Sequence, residues 1–397
     1  MNFLNSRQDD RVREAASDTV SVEIAVNNGP ISSIAASHDG TRLMVTNYGR
    51  DSVSVIDTNT YRVLETVTGV NEPFAIAVGS EDANRAYVSI VSAAYDSIGV
   101  IDMATNTIIA THPLALSVSD LVVSPDGKHV YASRNGARGA DVAVLDTATD
   151  RVEVIDLAHL PDLFNAPGTT TESVRVSSDG SRIYVGTNGA AGGQVVVIGT
   201  PEASDQETGH AGSRWHRKNS KKSSGSDGGQ SGLRVIDTIY IGLPIRDVAL
   251  SPDSTAVYVA SYAAELGAVV DVIDTRTNKI TNTRKIGEMG GILTGLTLSG
   301  DGERAYLVRN DSVTVLSTLT FDVIGTLGVG MQPSCVVESP DGNCLYIADY
   351  SGTVTVAPIA AATLSGPLAI ESAVYQSEAS SQWGIPELLL RYEPALA

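Results

Sequence analysis

The chain has two cysteines in 397 residues, Cys335 and Cys344, and no CxxC or CxxCH spacing that would hold zinc, an iron–sulfur cluster or covalent haem. Both fall within one predicted hairpin, on either side of its turn, where they do not face each other, so two free thiols are expected. Aromatic residues are scarce at 5%, and no apolar run is long enough to cross a bilayer as a helix. The opening MNFLNSRQDDRVREAAS lacks the continuous apolar stretch of about 7 to 15 residues that a secretory signal needs. A soluble protein, cytoplasmic by default, is therefore expected, with the cell envelope or export by a signal-independent route as the alternative. Basic residues are also few. With 27 Lys and Arg against 46 Asp and Glu, the formal charge of -19 repels phosphate backbones and disfavours bulk nucleic-acid binding.

Catalytic signatures are equally thin. The six histidines, His38, His112, His129, His159, His210 and His216, are scattered, so neither a metal site nor a histidine base is expected. Nucleophile elbows, phosphate-cradling glycine loops and HExxH are missing, and no cofactor is anticipated.

What the chain has in quantity is glycine, β-branched residues and repetition. A Ser-x-Asp-Gly turn followed by an apolar strand occurs in seven variants: SHDGTRLMVT, SEDANRAYVS, SPDGKHVYAS, SSDGSRIYVG, SPDSTAVYVA, SGDGERAYLV and SPDGNCLYIA. Their first serines, Ser37, Ser80, Ser124, Ser177, Ser251, Ser299 and Ser339, lie 43, 44, 53, 74, 48 and 40 residues apart. That is the period of propeller blades, lengthened where loops have grown. The turn aspartates accept backbone N–H groups and the glycine tolerates positive φ, a structural role. Each following strand carries a bulky residue at one position, Met44, Tyr87, Tyr131, Tyr184, Tyr258, Tyr306 or Tyr346, which predicts a packing layer between blades. Alternating segments such as VSVIDT (53–58), IGVIDM (98–103), VAVLDT (142–147) and VVDVIDT (269–275) supply a further strand, and an Asp-Thr turn leads to the next.

Each blade thus has four strands, except that the seventh runs out after GTVTVAPI (352–359). TVSVEIAV (19–26) precedes the first copy where a fourth strand would sit, and joining it to the seventh blade covers an open edge. The predicted fold is all-β, a seven-bladed β-propeller with four-stranded blades, closed by the N-terminal strand in the last blade.

The stretch MVTNYGRDSVSVIDTNTYRVLETV resembles the YVTN family of β-propeller repeats, with Met44-Val45-Thr46-Asn47 in place of the eponymous tetrad. Other copies drift further, as in Tyr131-Ala-Ser-Arg134 and Tyr346-Ile-Ala-Asp349. The resemblance covers residues 19–359 and implies the fold far more strongly than any activity. Proteins with such repeats include surface-layer and cell-envelope propellers and, more distantly, seven-bladed lactonases, and fold alone does not choose among them.

The predicted organisation is an N-terminal tail (1–18), a propeller (19–360) and a C-terminal tail (361–397). Ile385, Leu388, Leu389 and Tyr392 of the tail fit one face of a short helix starting at Pro386, and disorder is the alternative reading. Segment 201–232, rich in Ser, Gly and charge, reads as a disordered insertion between the third and fourth strands of blade four. Its run from Arg214 to Lys222 is a solvated linker or a weak contact for an anionic partner such as nucleic acid. The connector 158–172 is long and carries Leu163 and Phe164, as a plug or lid at the channel mouth.

Ligands of propellers gather on the face formed by loops between strands two and three and by connectors between blades. Here those loops carry Asn47, Tyr48, Arg50, Tyr95, Asp96, Arg134, Asn135, Arg138, Asn188, Tyr262, Glu265, Arg309, Asn310, Asp349 and Tyr350. At the start of the innermost strands the equivalent positions are Ser32, Ala75, Ser119, Glu172, Arg246, Thr294 and Ser334, of which Glu172 and Arg246 are the charged exceptions. Arginines suit bidentate capture of a carboxylate or phosphate, and ordinary ion pairing with Asp96, Asp141 or Asp349 is the competing reading. The expected function is a non-catalytic scaffold, a monomer, that recognises a small anionic or peptidic ligand or a protein partner at the channel face. The alternative is a lactonase-like hydrolase acting in the channel.

Overall fold

The computed structural model describes residues 21–79, 84–92, 95–136, 139–157, 168–200, 232–286, 292–329 and 332–359. The basic run, Leu163, Phe164, Arg138 and the tail helix lie outside the described residues. Seven antiparallel sheets of four strands are present. Blades one to six span 31–68, 76–113, 117–156, 170–240, 245–285 and 293–327, each in sequential strand order. Blade seven takes three strands from 333–358 and its outer strand from Val22–Ala25, which pairs Val22 with Val356 and Ala25 with Thr353. The ring is closed by its own beginning, as the repeat count required. At the closure point Gly352 has φ +89°, and an added Cβ would stand 2.7 Å from the Gly29 carbonyl oxygen, so the last hairpin approaches the entering strand closely enough to need glycine.

Burial is steepest in the second and third strands of each blade, whose side chains pack against neighbouring blades on both faces. Arg42–Asn47 and Ser52–Asp57 are almost wholly buried, whereas the outer strand Lys279–Lys285 is exposed throughout. The bulky layer is where the sequence put it: Met44, Tyr87, Tyr131, Tyr184, Tyr258, Tyr306 and Tyr346 are all buried between blades. Cys335 and Cys344 are free and partly buried in one cluster, and burial pushes the Cys335 thiol up to about 12.

The turns joining first and second strands repeat one set of hydrogen bonds. Asp39 accepts from the Ser37 hydroxyl (2.6 Å) and the Thr41 N–H (3.0 Å), and Asp126, Asp179, Asp253, Asp301 and Asp341 do the same in their blades. In blade two the turn residues 80–83 lie outside the described residues. Gly79 takes the place of the turn serine, its N–H bonding to the Arg85 carbonyl as Ser37 bonds to that of Arg42. The turn is therefore one residue longer than the sequence alignment assumed, and the innermost strand shifts by one.

Candidate functional site

The innermost strands share a device that the sequence did not display. At the channel mouth of blades one and three to seven the pairing register slips, as between Ile31 and Ile34, Thr171 and Ser173, or Ile245 and Asp247. Each slip is a β-bulge, which inserts one extra residue into the innermost strand. The bulged residues are Ser32, Ser119, Glu172, Arg246, Thr294 and Ser334, positions singled out from the sequence at the start of the innermost strands. In blade two, Phe74 and not Ala75 is the counterpart, because the N–H groups of Phe74 and Ala75 bond to Ser89 as Ser33 bonds to Thr46.

Most of the predicted rim is occupied in holding blades together. Arg134 is buried, gives a fork of hydrogen bonds to Asp141 (2.7 and 2.9 Å) and donates to the Leu114 carbonyl. Arg309 is buried and paired with Asp311 at 3.0 Å. Asn135 clasps the backbone of the next blade at both ends of its amide, to Thr171 O (2.9 Å) and from Thr171 N (2.7 Å). Asn188 does the same to Ile245 (2.9 and 2.7 Å). Asn310 accepts from Ile292 N at 3.0 Å, and Asn47 is buried against Ser52 and Ser54. Asp349 caps its own hairpin through Ser351 and Thr353, and Asp96 accepts from Val118 N at 3.2 Å. Of the rest, Arg50, Tyr95 and Glu265 are exposed, Tyr262 and Tyr350 are half-buried, and Tyr48 reaches Glu72 at 3.4 Å. The three arginines Arg134, Arg246 and Arg309 thus do not converge on one pocket: two of them are turned into their own hairpins.

The rim residues that come together are Glu172, Arg246 and Asn188, at the junction of blades four and five. Glu172 accepts from the Thr170 hydroxyl (2.6 Å) and from the Asn188 amide (3.1 Å). Burial raises its pKa, opposed by those two bonds and by the positive charge of Arg246. The Nε of Arg246 is buried without a hydrogen-bond partner among the described residues. Unpartnered buried donors are costly, and the Nε atoms of Arg304 and Arg309 are left in the same state.

One residue deeper lies a constellation missed by a reading confined to the bulge positions. Arg175 in blade four donates to Asp120 of blade three and to Asp247 of blade five (2.9 Å). The two carboxylates also accept backbone N–H groups of the blades beyond them, Asp120 from Val174 (3.0 Å) and Asp247 from Leu296 (2.9 Å). Burial pushes Asp247 up to about 6 despite Arg175, with Asp120 adding repulsion. The available signal was positional: Asp120, Arg175 and Asp247 replace small or apolar residues such as Ser33, Ala35, Ala77 and Ala249 at equivalent places.

The chain is 56% identical over 379 residues to the seven-bladed beta-propeller protein Rv1057 of Mycobacterium tuberculosis, covering 95% of this chain and 93% of that one. The chain belongs to the seven-bladed beta-propeller protein family. A seven-bladed beta-propeller protein of Mycolicibacterium smegmatis is 37% identical over 185 residues, 47% of this chain and 48% of its own length. No family model matches the chain. Among solved structures, hydrazine synthase of Kuenenia stuttgartiensis superimposes with a TM-score of 0.66 at 22% identity, over 83% of this chain and 96% of that one, a likeness of fold alone. Among the described residues no group of three or more His, Cys, Asp or Glu is placed to hold a metal ion, and no helix is long and apolar enough to cross a membrane.

Proposed function

We propose that this propeller, of the YVTN type, is a non-catalytic monomeric binding scaffold that takes a small anionic or peptidic ligand, or an acidic segment of a protein partner, at the junction of blades four and five. The supporting observation is the buried, unpartnered Nε of Arg246 at a β-bulge beside Glu172 and Asn188, whereas Arg134 is tied to Asp141 and Arg309, whose Nε is likewise unpartnered, is paired through its terminal nitrogen with Asp311. Guanidinium matches a carboxylate in bidentate fashion, and Asn188 and Glu172 beside it add polar contacts that would discriminate among carboxylates. A peptide C-terminus fits the same chemistry. The lactonase-like reading rests on Glu172, whose buried carboxyl would have to act as the general acid or base.

Calorimetric titration of the full chain with short mono- and dicarboxylates and with a tripeptide bearing a free C-terminus tests the proposal. Binding is expected to weaken at least tenfold in Arg246→Gln and to survive in Arg50→Gln. Equal affinity in wild type and Arg246→Gln overturns the site, and lactone hydrolysis abolished by Glu172→Gln overturns the non-catalytic reading.

A further inference from the structure

On the face opposite the channel loops, neighbouring blades meet along grooves between the Ser-x-Asp-Gly turn of one blade and the end of the third strand of the next. The residue that opens each second strand decides how the groove is filled. Arg42 donates to the carbonyl of Met103 in blade two, and Arg182 to the equivalent carbonyl of Thr275 in blade five. Arg304 stays at its own turn with Asp301 (2.8 Å), near Glu338 of blade seven. Where the position is small, an aromatic residue from the adjoining turn fills the space: Phe321 meets Tyr258 above Ala256 at a ring separation of 6.4 Å, and Tyr61 packs in one cluster with Cys344.

Blade three breaks the pattern. Its residue is His129, stacked on Tyr131 at 6.1 Å, on the cleft that is also lined by Thr200, the counterpart of Met103 and Thr275. Thr200 and Gly232, between which the chain lies outside the described residues, both stand on the rim of this groove. Among the described residues the cleft is about 610 Å³, lined by Tyr131, Val144 and Leu233 on its apolar side and, on its charged side, by Arg151 with Asp126, which pairs with Lys128 at 3.0 Å, Asp146, Glu153 and Asp179. The corresponding cleft between blades one and two, with Arg42 in place, is about 420 Å³.

We propose that the cleft between blades three and four is a receptor for an arginine side chain presented by a peptide segment of a partner protein. Sister grooves of this same ring hold a guanidinium against the equivalent carbonyl, so the backbone geometry already suits that group, and the surplus of carboxylates complements its charge. Aliphatic portions of the incoming side chain would lie on Tyr131 and Val144, as arginine stems do on apolar surface. Lysine offers no planar fork and is expected to bind less well.

Fluorescence anisotropy with a labelled Gly-Arg-Gly-Arg-Gly peptide and the full chain tests this, with lysine and citrulline versions for comparison. The arginine peptide is expected to bind at least tenfold more tightly than either. His129→Arg, which recreates the residue of blades one and four, should weaken binding at least tenfold, and Glu153→Lys, on an outer strand away from the core, at least threefold. Equal binding of the three peptides, or indifference to both substitutions, overturns the proposal. If the peptide binds only after residues 203–230 are exchanged for a Gly-Ser linker, the chain's own Arg214 or Arg217 is the occupant, and the partner reading falls.

Discussion

The two faces of this ring are built on opposite terms. On the turn face six described Asp-centred turns make the same bonds in blades one and three to seven, each closed within a few residues. On the channel side the set varies: serine at the bulges of blades one, three and seven but Glu172, Arg246 and Thr294 at those of blades four to six, with Asp120, Arg175 and Asp247 just below. The turn face teaches what a repeat must conserve to make another sheet. The channel side shows where the repeat is free to vary, and three consecutive blades have used that freedom to lock to one another through charge.

The contrast predicts graded losses. The largest belongs to Arg175→Ala, which leaves Asp120 and Asp247 partly buried and facing each other without a cation. Removing one partner of such a pair should cost about 3 kcal/mol in denaturant unfolding, and a loss below about 1 kcal/mol would mean that the triad is solvated and the channel side no more coupled than the turns. Next comes Asn135→Ala, which deprives the Thr171 backbone of both amide contacts across blades three and four. A loss of about 1 to 3 kcal/mol is expected, and a double variant with Arg175→Ala should be less destabilised than the sum, because both act on the same junction.

The smallest effect is the one that separates the faces most cleanly, since they respond to pH in opposite senses. At Asp126 burial opposes ionisation, but the Ser124 hydroxyl, the Lys128 N–H and the Lys128 ammonium outweigh it and bring the carboxyl down to about 2. A lowered pKa contributes stability above the ordinary value of 3.8 that is lost as pH falls towards about 2. Asp247, raised to about 6, does the reverse: between 3.8 and about 6 the native state holds the extra proton, so stability from this group falls as pH rises through that window. Unfolding free energy measured against pH should lose part of its acid slope in Asp126→Asn and its opposing slope in Asp247→Asn. Identical profiles for the two variants would erase the distinction.

The ring was legible because a blade is a local object. Period-two strands, Ser-x-Asp-Gly turns and Asp-Thr turns all act within about a dozen residues, and counting the copies fixed the number of sheets and the need for a closing strand. Even so, the one-residue lengthening at Gly79 was invisible, because the alignment was anchored on Ser80, whereas only the Gly79 N–H bond to the Arg85 carbonyl shows which residue ends the strand. The candidate site was legible as a set of positions. Glu172 and Arg246 stood out as charged exceptions in a ring of small residues, and Arg175 went unnoticed because the bulge sets it on a different level of the channel.

Sequence alone therefore determined the fold: the hydrophobic period and turn chemistry leave no other arrangement in which each sheet buries both faces and the last finds its fourth strand. Tertiary structure alone decided which polar side chains were already spent. Asn135 meets a backbone 36 residues away and Arg175 a carboxylate 72 residues away, and contacts across that much chain are set by how the blades pack, which no local pattern encodes.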